Sequence, residues 1–130
     1  MRALLPPGWP RPRGYANGIS ATGRLVFTAG VIGWNEEERI VAADLPGQLR
    51  QILLNTLAIL AEDGAGPEHV VRMTWYVVDL DQYRSRLGEI GAVYKEAMGR
   101  NFPAMAVVQV AGLVEPEALI EIETIAVVPD

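Results

Sequence analysis

Residues 118–128 read ALIEIETIAVV. Apolar and polar side chains alternate through the middle of this run, a period of two that a helix cannot use. As a strand it places Ile120, Ile122 and Thr124 on one face and Glu121 and Glu123 on the other. One face must then pack on a core while the other presents two carboxylates. The run just before it behaves differently. From Phe102 on, FPAMAVVQVAGL carries no charge and a single polar side chain, Gln109. It reads as a strand over about 104–112, followed by one at 118–128.

The rest of the chain supplies what those strands pack against. The segment PPGWPRPRG at 6–14 is dense in Pro and Gly and predicts an irregular arm. YANGIS at 15–20 and RLVFTAGVIG at 24–33 are β-like and joined by ATG, which predicts a hairpin. EEER at 36–39 predicts a solvated loop. Residues 44–64 predict a helix with Asp44 as N-cap, Pro46 in its first turn and Gly64 as its stop. Leu49, Ile52, Leu53, Leu57 and Leu60 share one face of it. EHVVRMTWYVVD at 68–79 is apolar on both faces and predicts a central strand. A second helix is expected over 79–99, with Tyr83, Leu87, Ile90, Tyr94 and Met98 as its buried stripe.

The order is β-β-α-β-α-β-β over 130 residues, which predicts a single domain, 1–130. Its economical architecture is α+β: one mixed sheet with both helices on one face. The other face is then left open and apolar unless further subunits cover it. Hydrophobic residues make up 50% of the chain, a high share for a small domain, and this also argues for an oligomer.

Composition removes several kinds of chemistry. No cysteine is present, so thiolate catalysis and Cys-ligated metals are excluded. One histidine, His69, cannot build a multi-histidine metal site, and it reads as a surface residue. A net charge of −5 disfavours a nucleic-acid partner. The first ten residues, MRALLPPGWP, lack the long apolar core of a signal peptide, and no stretch suits a bilayer span; a cytoplasmic protein is expected. The glycines of GYANGISATG do not form a phosphate loop. Trp9 and Trp34 lie in loop-like segments, as packing residues or as walls of a pocket, and Trp34 is a binding candidate. Glu121 is either a surface acid or, flanked by LIEI, a partly desolvated carboxylate able to move protons; Glu123 reads as a surface acid.

Several pieces, in register, resemble one family. They are GY at 14–15, LVFTAG at 25–30, Gln48 and Asn55 in the first helix, DGAGPEHVVRMTWYVVDLDQY, NFPA at 101–104 and IEIETIAV at 120–127. Together they are similar to the RidA (YjgF) family of reactive-intermediate deaminases. The resemblance implies a chorismate-mutase-like α+β fold and a homotrimer with small-molecule ligand pockets in the clefts between subunits. It implies cofactor-free hydrolysis of enamines or imines, released by pyridoxal-phosphate enzymes, to a keto acid and ammonia.

In that family an Arg after FPA clamps the substrate carboxylate, and the first Glu of IEIE handles the attacking water. A hairpin Tyr, a Ser before the Gly of the second strand and an Asn of the second helix line the pocket. Here Tyr15 and Glu121 are kept, but Met105 stands at the clamp, Ala29 at the Ser and Gly91 at the Asn. The resemblance therefore implies a catalytic Glu121 and a pocket lined by Tyr15, Met105, Ala29 and Gly91 that recognises an apolar group, with no cofactor and no metal; Trp34 joins the binding candidates from its place in a loop-like segment. Arg11 and Arg13 precede Tyr15 as possible replacements for the clamp. Two other readings stay open: a small-molecule-binding member without turnover, and an endoribonuclease-type member.

Overall fold

The computed structural model describes residues 1–130. Its elements are β1 (Arg2–Ala3), β2 (Ile19–Ser20), β3 (Arg24–Phe27), α1 (Leu45–Ala61), β4 (Val70–Val77), α2 (Leu80–Ser85), α3 (Leu87–Met98), β5 (Ala104–Gln109) and β6 (Ile120–Val128). The main sheet has the order β3-β6-β4-β5. β6 runs antiparallel to both neighbours, whereas β4 and β5 are parallel and joined through α2 and α3. The fold is α+β, with a mixed sheet, as the element order predicts. No helix is long and apolar enough to cross a membrane.

The alternation in β6 decides which face is the core. Ile120, Ile122, Thr124 and Ala126 are buried, and they meet Met73, Trp75 and Val77 of β4. Leu49, Ile52, Leu53 and Leu60 of α1 and Ile90, Val93, Tyr94 and Met98 of α3 close over the same face. In β4 the pairing with β6 shifts between Val70 and Arg72. That bulge lets Val70 and Met73, three residues apart, both be buried, where strict alternation would put them on opposite faces.

The open face differs from the apolar surface expected. Its margins are apolar, with Leu25 and Phe27 of β3 and Val108 of β5 exposed. Its centre is polar: Tyr76 lies opposite Glu121, and Thr74 opposite Glu123.

Three further expectations need correction. The hairpin of 15–20 with 24–33 does not form. β2 pairs with β1, and β3 pairs with β6. Ala16 donates its amide to the Pro103 carbonyl at 2.9 Å, beside β5 at one edge of the sheet, while Arg24 starts β3 at the other edge. Residues 17–23 therefore travel across the end of the sheet instead of folding back. Gly23 ends that crossing at φ 144°, where a Cβ would stand 2.1 Å from the Val128 carbonyl oxygen.

The helix expected at 79–99 is two, broken at Arg86 (φ −125°, ψ 26°). The Arg86 guanidinium lies 3.5 Å from Asp44 and 3.9 Å from Glu89. Asp44 is thus turned toward an ion pair; it occupies the N-cap position of α1 without a capping hydrogen bond. Finally, Leu87 of the expected buried stripe is 53% exposed.

One polar side chain in the core binds these parts together. Gln48 of α1 is 1% exposed. Its amide nitrogen donates to the carbonyls of Ala42 and Glu117, each at 3.0 Å, and its oxygen accepts from the Leu119 amide at 2.7 Å. Replacing it with a shape-matched apolar residue removes the partner of three part-buried backbone groups, each costing about 1 kcal/mol or more. Gln48→Leu is expected to destabilise the chain by roughly 3 kcal/mol or more, seen as a lower urea midpoint at unchanged slope.

Candidate functional site

Glu121 and Glu123 occupy equivalent strand positions but have different surroundings. Glu123 accepts a 2.5 Å hydrogen bond from the Tyr76 phenol. That bond, more than desolvation and the charges of both glutamates, raises the Tyr76 pKa above its ordinary value. Glu121 is half-buried and has no hydrogen bond or ion pair within the chain.

Local backbone makes room for it. Past β3 the chain stays on β6: Thr28 donates to the Thr124 carbonyl at 2.9 Å, and Val31 and Ile122 exchange bonds of 2.8 and 3.0 Å. Gly30 lies between these ties, against the Glu121 side chain. A Cβ on Gly30 would stand 2.3 Å from Glu121 Oε2. The missing side chain is the space the carboxylate occupies.

Glu121 lines a cavity of about 580 Å³ with Ala29, Gly30, Trp34, Asn55 and Glu115. Asn55 holds the wall in place, donating to the carbonyls of Trp34 at 2.8 Å and Ile32 at 3.3 Å. The indole N–H of Trp34 is buried without a partner.

Tyr15, Met105 and Gly91 are elsewhere. They line a second cavity, of about 310 Å³, between the arm, β5 and the α2–α3 pair. Its walls are aromatic. Tyr94 stacks on Phe102 at 5.8 Å, and Trp75 meets Tyr94 at 6.2 Å and Tyr83, edge to face, at 6.4 Å. Leu87 and Ile90 add aliphatic surface, so the exposed Leu87 is a wall of the cavity. The Tyr94 phenol donates to the Asn101 carbonyl, and burial raises its pKa. A Cβ on Gly91 meets no atom within 4 Å, so the helix leaves open space there. The indole N–H of Trp75 is also buried without a partner.

The six residues picked out from the sequence thus fall into two cavities of one chain: Ala29, Trp34 and Glu121 in one, and Tyr15, Gly91 and Met105 in the other. Sequence reasoning missed the aromatic walls, because Tyr83, Leu87, Ile90 and Tyr94 at helical spacing read as core. It also missed Gly30, which only the close approach of Glu121 reveals. Trp9 is exposed and lines neither cavity. His69 accepts from the Gly66 amide at 2.9 Å, a local turn contact. No cluster of three His, Cys, Asp or Glu side chains is placed to hold a metal ion.

Comparison with known proteins decides the family. The profile described as Endoribonuclease L-PSP matches residues 10–128. The chain belongs to the RidA (YjgF) family. It is 35% identical to a RutC family protein of Pyrococcus abyssi over 90% of this chain and 89% of that one. To the 2-iminobutanoate/2-iminopropanoate deaminase of Escherichia coli K12 it is 34% identical, over 87% of this chain and 86% of the other. Among solved structures, YyfB of Yersinia pestis, from the Rid protein family, superposes with a TM-score of 0.85 at 32% identity, covering 98% of each chain. The YjgF gene product of E. coli gives 0.70 at 31% identity, again covering 98% of each chain.

Gly30→Ala tests the fit of Glu121. The clash falls on the free end of a side chain, and the Gly30 backbone is outside the left-handed region, so the carboxylate should move and the fold should hold. The expected outcome is shifted Glu121 side-chain NMR resonances with a loss of stability below about 1 kcal/mol.

Proposed function

We propose that this RidA-family member is a cofactor-free hydrolytic deaminase of an enamine or imine recognised through an apolar group. It works as a homotrimer, in clefts where the aromatic cavity of one subunit faces the Glu121 cavity of its neighbour. The observation that carries this reading is the division of labour between the two cavities. One chain offers an apolar binding wall in one place and an unbonded carboxylate in another, and neither alone is a complete site.

The reaction asks little of the protein. An enamine first gains a proton on carbon and releases one from nitrogen to become the imine. Water oxygen then bonds to the imine carbon while Glu121 takes one water proton. That proton passes to nitrogen, giving a carbinolamine; the carbinolamine hydroxyl then gives up its proton, which the same carboxylate relays to nitrogen as the C–N bond breaks with its electron pair on nitrogen, so that ammonia and a carbonyl compound leave. One water is consumed and the carboxylate is regenerated, as general acid–base catalysis requires. Glu121 suits this role because no partner in its own chain competes for its lone pairs.

Met105 at the family's clamp position and the open space at Gly91 favour a large apolar substrate over a small imino acid. A small imino acid would leave the aromatic walls unfilled and forfeit about 25 cal/mol for each Å² left in water. The net charge of −5 and the local engagement of His69 weigh against RNA cleavage.

Two measurements test the proposal. Ammonia release from a panel of aromatic and branched imines should fall roughly 100-fold in Glu121→Gln and stay within about twofold in Glu123→Gln; equal losses would refute the assigned roles. Light scattering on a size-exclusion column should give about three times the 14.2 kDa chain mass. A stable monomer at micromolar concentration would remove the intersubunit site.

A further inference from the structure

Of all the residues lining the aromatic cavity, Arg13 alone carries a charge. It makes no ion pair, although six other pairs link basic and acidic side chains of this chain, and it donates no side-chain hydrogen bond. Its backbone is nevertheless placed. Ala16, three residues on, is 8% exposed and bonds to the Pro103 carbonyl at 2.9 Å, beside the start of β5. Gly14, between Arg13 and Tyr15, takes φ 80°. That turn brings both Arg13 and Tyr15 into the wall that Met105 lines from β5. Arg11, two residues earlier, does not line the cavity.

We propose that Arg13 is the anion anchor of this cavity, and that the ligand is an imino or keto acid with a bulky aromatic or branched side chain. Its carboxylate meets the Arg13 guanidinium at the rim. Its side chain lies against Trp75, Tyr94, Phe102 and Met105. The inference rests on the reading above that this cavity binds substrate, and it specifies which acids enter.

Both halves of the ligand are needed. A guanidinium is the cation best shaped for a carboxylate, through paired charge-assisted hydrogen bonds. An exposed arginine alone, however, holds an anion weakly, because water screens it. The aromatic wall supplies most of the affinity and the arginine supplies the preference for the acid. A carboxylate anchor on β5 would approach from the strand that forms the cavity wall. Arg13 approaches from the arm instead, which leaves the β5 side apolar and admits a larger side chain.

The test is binding, measured by calorimetry on the full chain with two probes of similar shape. Phenylpyruvate carries the carboxylate, and phenylacetone has a methyl group in its place. The wild type is expected to bind phenylpyruvate about tenfold tighter. In Arg13→Ala the two affinities should converge to within about twofold, with phenylacetone unchanged. Arg11→Ala should keep the tenfold preference. Equal binding of the two probes by wild type, no binding of either, or a preference that survives in Arg13→Ala would overturn the proposal. Because the readout is affinity, absence of ammonia release would count against the deaminase reading alone, and a preference that ignores Arg13 would count against this one alone.

Discussion

The buried amide of Gln48 is the constraint on which the rest of the structure depends. A helix packed by leucine and isoleucine can slide or rotate on a sheet with little penalty, because apolar contacts are not directional. A buried amide cannot, since every position but one leaves donors and acceptors unmet. Gln48 fixes α1 at once to the Ala42 loop and to the lead-in of β6 through Glu117 and Leu119. The register of β6 against β4 follows, and with it the place of Glu121 opposite Tyr76. A polar residue in the core thus bears on the position of a half-buried carboxylate on the opposite face of the sheet.

From there, two small differences separate two glutamates that the strand itself treats alike. A phenol across the sheet engages Glu123, and an absent side chain at Gly30 gives Glu121 an unobstructed berth. The distinction is made by neighbours on β4 and on the chain that follows β3. The alternation of β6 supplies the pair and the rest of the sheet gives them different surroundings.

The parts of the fold that strong local patterns govern were legible. The alternation of β6, the leucine face of α1 and the two-sided apolar character of β4 each have one structural solution. Residues 15–20 did not, because two short β-like pieces joined by three residues fit a hairpin equally well; only the attachment of Ala16 beside β5 excludes it. The break at Arg86 has only Gly88 beside it to weaken the helix, and a glycine inside an amphipathic stripe is compatible with a continuous helix as well as with a break. The stripe Tyr83–Leu87–Ile90–Tyr94 has the spacing of a core, and a cavity wall on a helix has the same spacing. The likeness to the family named Tyr15 and Glu121 and implied clefts between subunits; the single chain keeps the two residues in separate cavities.

The tie between Ala16 and Pro103 has a consequence for how the chain assembles. The two residues are about 90 positions apart, among the longest closures in the molecule, and closing such a loop costs entropy that grows with its length. Contacts of this kind are made after the local ones. The helices and the β4–β5–β6 pairings can therefore be complete while the arm still searches. An exposed arm held through few backbone bonds also belongs to the least stable part of a native ensemble. The aromatic floor, carried by α2, α3 and the β4–β5 pair, is then held by more of the fold than the wall bearing Arg13 and Tyr15.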